Sequence, residues 1–69
     1  MDYRDIERAA TQQGWRIEPK RRGVMFLPVD RTKAAVMWHR TPSDRRALAN
    51  FLAELKRSGF IWPWPPRKG

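Results

Sequence analysis

The chain has 69 residues and no cysteine, so one small apolar core must hold the fold together without disulfide bonds. A chain this short forms one domain and has no room for a separate cofactor domain or a deep substrate cleft. It has a single histidine, His39, and so lacks the cysteine and histidine cluster of a usual metal site. We therefore expect no metal and no cofactor, and a function carried by the surface.

The composition is typical of a folded protein with a basic surface. Hydrophobic residues make up 41% of the chain, more than a disordered segment contains. The 15 Lys and Arg residues against 7 Asp and Glu give a formal net charge of +8, most of it within residues 16–46, whereas residues 1–15 are slightly acidic. A strongly basic surface favours an acidic partner such as nucleic acid. The charged N-terminus and the absence of a long apolar run predict a cytoplasmic protein without membrane contact.

The first half of the chain has the pattern of a helix followed by strands. Asp2 is a suitable N-cap for a helix that Gly14 ends. Three short segments then have the composition of strands, at residues 15–18, 24–27 and 34–39. Residues 19–23, which include Lys20, Arg21 and Arg22, are predicted to form a basic hairpin loop between the first two strands.

The second half predicts another helix and an extended tail. The N-terminal signal of this helix consists of Thr41 as N-cap, Pro42 as first helical residue and Asp44 as the acid of a capping box. Gly59 ends the helix and brings Phe60 back onto Leu55. Because short turns join consecutive strands, the sheet should be antiparallel, with both helices on one face. The predicted fold is α+β in the order αβββα, with a domain at residues 1–60 and a Trp/Pro-rich tail at 61–69.

Several segments of this chain carry a family resemblance. They are the helix running into Gly14-Trp15, the basic loop, the second strand with its phenylalanine, and residues 36–48 and 55–60. Together they resemble the HicA-like toxins, small mRNA-cleaving partners of antitoxins, and are most similar to members from actinobacterial phages. The resemblance covers about residues 3–62. It implies the fold of double-stranded-RNA-binding domains, RNA as ligand and an antitoxin as partner.

The sequence departs from this family at the catalytic position. When Phe26 is matched to the family's aromatic residue, Gly23 stands in place of the catalytic histidine, and Arg21 and Arg22 replace glycines. Glycine has no side chain to take the proton of an RNA 2′-OH. The resemblance therefore implies a protein that keeps the fold and lacks the enzyme activity. His39 is the one other candidate base, although a histidine at the end of a strand is more often a simple surface residue.

Five basic residues form the predicted nucleic-acid-binding set: Lys20, Arg21, Arg22, Arg45 and Arg46. In double-stranded-RNA-binding domains the loop between the first two strands and the start of the last helix both contact nucleic acid. The alternative is solvated charge kept for solubility. The slightly acidic first helix would weaken the third contact of an RNA duplex binder.

The four tryptophans fall into two pairs. Trp15 and Trp38 are predicted to pack in the core, at the start and end of strands. Trp62 and Trp64 either fold back to enlarge the core or stay exposed as a recognition segment for bases or a partner protein.

The sequence leaves three functional hypotheses. The first is a HicA-like, catalytically inactive protein that binds RNA, or alternatively DNA. The second is an active HicA-type mRNA interferase of a toxin–antitoxin pair, with His39 as base. The third is a phage protein that binds a host or antitoxin protein through its tail or its sheet.

Overall fold

The order of elements in the chain is αβββα. A computed structural model describes residues 2–39 and 45–66. Its elements are helix α1 (Tyr3–Gln12), strands β1 (Arg16–Lys20), β2 (Gly23–Leu27) and β3 (Val36–His39), and helix α2 (Arg45–Arg57). This order confirms the α+β fold predicted from the sequence. The predicted helix-start signal of Thr41, Pro42 and Asp44 lies outside the described residues.

The three strands form one antiparallel sheet with β2 in the centre. Phe26 lies opposite Ile17 of β1 and Val36 of β3, and Val24 lies opposite Trp38. Since side chains alternate between the faces of a strand, these residues share the face that packs against the helices. Met25 points to the other face, which no described helix covers.

Two strand boundaries differ from the prediction by two residues, and the starts of β1 and β2 each differ by one. β1 continues through Pro19 and Lys20, so the hairpin loop shrinks to a turn at Arg21 and Arg22. Proline is tolerated there because β1 is an edge strand. β3 begins at Val36 rather than at residue 34, because Pro28, the next residue along the partner strand β2, has no N–H to continue the ladder.

Aromatic rings from both helices meet over the centre of the sheet. The ring of Phe26, which is fully buried, lies 5.0 Å from that of Phe51 on α2 and 6.2 Å from that of Tyr3 on α1. Both edge-to-face contacts bury large apolar surfaces. The prediction that both helices cover one face of the sheet is confirmed.

Both helices end in the same backbone motif. Gly14 and Gly59 have positive φ angles of 91° and 98°, as predicted for helix-ending glycines. The following N–H groups, of Trp15 and Phe60, donate to the carbonyls of Ala10 and Leu55 at 2.9 and 3.0 Å. The motif turns each aromatic ring into the core, where the two rings meet edge to face at 5.8 Å.

The tail lies back on the helix ends. Trp62 and Trp64 are half-buried against the core, and the Trp62 ring stacks on Phe60 at 5.9 Å. The Gln13 side chain fixes the start of the tail: its Nε2 donates to the Ile61 carbonyl at 2.8 Å, and the Ile61 N–H donates to its Oε1 at 2.9 Å. The tail thus enlarges a small core, which is the first of its two predicted roles.

Neither described helix has the length and apolar composition needed to span a membrane.

Replacing Gln13 by alanine should therefore detach the tail. Two side-chain-to-backbone hydrogen bonds are removed, each contributing about 0.5–1.5 kcal/mol. We expect a free energy of unfolding lower by about 1–2 kcal/mol in urea denaturation and an increase in Trp62 and Trp64 exposure. Asn50→Ala is the matched control, because this exposed amide makes no hydrogen bond within the described residues. Equal stability of the two variants would contradict this role of Gln13.

Candidate nucleic-acid interface

The turn between β1 and β2 presents two arginines to solvent. Arg21 and Arg22 are exposed and form the two-residue connection between Lys20 and Gly23. Within the described residues neither arginine makes an ion pair. Lys20 differs, because its Nζ lies 3.3 Å from the carboxylate of Glu18. The turn arginines are therefore the cations of this hairpin that are most available to an anionic ligand.

The direction of α2 determines which end of the sheet its first residues approach. Ser58, just after the helix, donates from Oγ to the carbonyl of Ala34, just before β3, at 2.8 Å. Near the other end of the helix, Ala47 lines the same small recess as His39, the last residue of β3. α2 therefore runs antiparallel to β3, and its N-terminus lies at the end of the sheet where β3 finishes.

The strand register joins this end of the sheet to the hairpin turn. Gly23, directly after the turn, is the cross-strand partner of His39. The turn, the end of β3 and the start of α2 therefore occupy one end of the molecule. We call this region the basic end; its exposed side chains are Lys20, Arg21, Arg22, His39, Arg45 and Arg46. The five cations predicted from the sequence thus lie together, although they come from two segments of the chain.

The glycine at the expected catalytic position is required by the packing of β2 on β3. Gly23 is buried, and a Cβ at this position would overlap the carbonyl oxygen of Trp38. It would also lie 3.1 Å from the Trp38 carbonyl carbon and 3.3 Å from the Cα of His39. Both neighbours are main-chain atoms, which cannot rotate away as a flexible side chain can. No side chain fits at residue 23 without displacement of β3.

The only histidine lies directly across the ladder from this glycine. His39 is exposed at the end of β3, on the strand next to Gly23. The sequence did not predict that these two residues are neighbours, because their pairing depends on the register of β2 and β3. Both strands are nearly continuous apolar runs, GVMFL and VMWH, so the sequence has no apolar/polar alternation that would have fixed this register.

Acidic side chains border the basic end on the side of α1. The Tyr3 ring stacks on Trp38 with a centroid distance of 5.3 Å, which places the start of α1 beside the end of β3. Asp2 and Asp5 are exposed there, and the Asp2 N–H donates to Oδ2 of Asp5 at 3.1 Å. This pair closes the first turn of the helix. It also sets negative charge at the edge of the candidate interface, as the acidic first helix had indicated.

Residues 2–39 and 45–66 contain no group of three or more histidine or carboxylate side chains that could hold a metal ion. No protein-family model, curated protein or solved structure matches the chain. The resemblance to HicA-like toxins therefore stays a prediction.

Proposed function

We propose that this protein is a catalytically inactive, HicA-like nucleic-acid-binding module that acts in the cytoplasm and binds RNA in preference to DNA. The observation that carries the proposal is the joining of two sequence-distant basic segments at one end of the sheet. Arg21 and Arg22 come from the hairpin turn, and Arg45 and Arg46 from the start of α2. A cationic cluster assembled in this way can contact several phosphates along one strand or across one groove.

The shape of the basic end favours recognition of the sugar-phosphate backbone over reading of bases. Its cations are on a tight turn and a helix start, and the described part of this end presents no exposed aromatic side chain on which a base could stack. A-form RNA is recognised mainly through its shape, its 2′-hydroxyls and its phosphates. Asp2 and Asp5 limit how far a duplex extends toward α1, so the contact should be short.

Mobility-shift titrations with short RNA and DNA duplexes at two salt concentrations test the proposal. Replacing both Arg45 and Arg46 by alanine should weaken RNA binding and lower the slope of log affinity against log salt. The expected decrease is about 0.9 for each phosphate that the variant no longer neutralises. Ala49→Ser, an exposed change on the same helix, is the control. Absence of RNA binding by the native protein at low salt, or an unchanged slope in the double variant, would overturn the proposal.

The adjacency of His39 and Gly23 favours one second candidate, an active ribonuclease. Across the ladder from the position of the family histidine, an imidazole could take the proton of a 2′-OH while its oxygen attacks the phosphorus. The bond from phosphorus to the 5′-oxygen then breaks, which leaves a 2′,3′-cyclic phosphate, and the 5′-oxygen takes the proton back from the His39 imidazolium or from water. Lys20, on the other side of Gly23 in the same row of the sheet, would stabilise the charged phosphate.

Expression of the protein in bacteria separates the two candidates. If His39 is a catalytic base, native expression should stop growth and fragment transcripts, and His39→Ala should abolish both effects while RNA binding remains. The inactive module predicts harmless expression for both proteins. Ala35→Ser, an exposed change at the other end of the sheet, serves as a control for the effect of substitution itself.

The structure bears on the remaining hypothesis, protein binding by the tail or the sheet. Trp62 and Trp64 are packed against the core, so a pull-down with residues 61–69 deleted would also uncover apolar surface. Point changes of exposed tail residues give a cleaner test than deletion.

A further inference from the structure

The end of the molecule opposite the basic end contains an apolar recess. Val29 and Ile61 are the exposed large aliphatic side chains of the described residues, at 62% and 46% of their full accessibility. They come from the β2–β3 connection and the tail, and both line the same recess, together with Trp15 and Trp64. Two exposed apolar groups that converge on one recess indicate a contact surface, whereas single scattered ones do not.

Hydrogen bonds hold the tail side of this recess in place. Ile61 is fixed through both its N–H and its carbonyl to the Gln13 side chain. The indole Nε1 of Trp64 donates to Oε1 of Gln12 at 2.7 Å. Binding of a ligand therefore requires little ordering of this side, which lowers the entropic cost of association.

The opposite side is formed by a hydrogen-bonded turn. The N–H and the hydroxyl of Thr32 both donate to Oδ1 of Asp30, at 2.9 and 2.6 Å. These bonds, with a smaller contribution from Lys33, hold the pKa of Asp30 below its usual range. Val29 is thus presented on an ordered turn in which Oδ1 of Asp30 already accepts two hydrogen bonds.

The size of the recess suits one or two bulky side chains. Its volume is about 430 Å³. Ligand pockets for small molecules start at roughly 300 Å³, and a docked helix requires a long groove. A partner would therefore insert one or two bulky apolar side chains and lay the flanking backbone across the rim.

The cations that neighbour the lining residues in the chain, called the rim here, favour one kind of partner. Exposed cations follow Val29 along the loop, and two more precede Gly59 at the end of α2: Arg31, Lys33, Lys56 and Arg57. Among the described residues, Asp30 is the one charged side chain that lines the recess itself, and its negative charge is set against these four cations. A second copy of this chain would bring another net charge of +8 to the contact and is disfavoured. An acidic segment matches the rim.

We propose that the recess binds an acidic segment of a partner protein, which inserts a bulky apolar side chain between Val29 and Ile61. This surface goes beyond nucleic-acid binding and is separate from it, because the recess and the basic end lie at opposite ends of the sheet. Both ligands can therefore be bound at once.

A titration of ¹⁵N-labelled protein with synthetic peptides tests this proposal. The probes are short peptides with a central Phe-Leu, Leu-Leu, Trp-Leu or Ile-Val pair between runs of Glu. Two control sets replace the flanks by Lys or the central pair by Ser-Ser. We expect the acidic apolar peptides alone to shift the resonances of Gly14, Val29, Ile61 and the Trp64 indole. Val29→Ser with Ile61→Ser should weaken binding by roughly tenfold or more, since burial of an apolar side chain is removed.

Charge variants and oligomeric state complete the test. Arg31→Glu with Lys33→Glu should weaken peptide binding, whereas Arg21→Glu with Arg22→Glu should leave it unchanged. Met37→Ser, on the open face of the sheet, is the control for removal of an apolar side chain. Equal binding of the Lys-flanked peptides, no shifts with any acidic peptide, or native-protein dimers that Ile61→Ser dissociates would each overturn the proposal. None of these results depends on RNA binding, so the two proposals succeed or fail separately.

Discussion

Replacing Gly23 by histidine is expected to destabilise the sheet and to give no ribonuclease. The resemblance to HicA-like toxins alone predicts the opposite result, a restored catalytic base at the family position. The structure argues against restoration, because a Cβ at residue 23 would overlap the carbonyl oxygen of Trp38. That oxygen belongs to the backbone of β3, so relief requires the strand to move.

The smallest side chain already introduces this clash. Overpacking of a well-packed site typically costs about 1–3 kcal/mol, and movement of a strand adds to it. We expect both Gly23→Ala and Gly23→His to lower the free energy of unfolding in urea by roughly 2 kcal/mol or more. A domain of this size is marginally stable, so a loss of this size removes a large part of its free energy of unfolding.

Met25→His is the control for placing a histidine on β2. Residue 25 faces the open side of the sheet, where Glu18 and Met37 are its cross-strand neighbours. This variant should lose little stability and remain inactive. A Gly23→His protein as stable as the native one that cleaves RNA would contradict the expectation. It would also show that the family's catalytic position can be refilled in this chain.

The sequence predicted the fold because its strongest local signals agree with one another. Gly14 and Gly59 each stand before an aromatic residue, and both form the helix-ending motif that this pairing indicates. The apolar run at residues 24–27 predicted a strand, whereas the face on which Phe26 lies is visible only in the structure. The boundaries at Pro19 and residue 34 were less accurate, because each depends on strand pairing, which is a tertiary property.

The candidate site was predictable in composition and unpredictable in arrangement. Basic residues at the hairpin and at the start of α2 are evident in the sequence. Their location at one end depends on the antiparallel packing of α2 on β3, which the contact of Ser58 with Ala34 reveals. The recess had a weaker signal. Val29 in a polar turn and Ile61 before the prolines fit neither the helical nor the strand pattern of apolar residues. Apolar residues that have no place in the core in this way are candidates for a contact surface.

Reversing the charge of the hairpin turn should reduce RNA affinity by roughly a hundredfold at low salt, since like charges set against phosphates cost several kcal/mol. The change is Arg21→Glu with Arg22→Glu. Both side chains are exposed and make no ion pair within the described residues, so the fold should be unaffected. The salt dependence should also weaken, by about 0.9 in slope for each phosphate left without its cation.

A matched variant at the opposite end of the molecule distinguishes RNA binding at the basic end from a general attraction of RNA to the positive net charge. Arg31→Glu with Lys33→Glu also replaces two cations by two anions, so each double variant lowers the formal net charge by 4, from +8 to +4. If the basic end holds the nucleic acid, the matched variant should keep most of its RNA affinity when both variants are compared at 0.1 M salt, because screening there limits the effect of charges farther away than about 10 Å.

The comparison of the two variants also tests the alternative of solvated charge kept for solubility. On that view RNA binding depends on net charge alone, and both variants should lose affinity equally. An interface at the basic end predicts a large loss of RNA affinity for Arg21→Glu with Arg22→Glu. It predicts a small loss for Arg31→Glu with Lys33→Glu. The effect would then depend on the position of the charges, which the register of Gly23 with His39 and the direction of α2 determine.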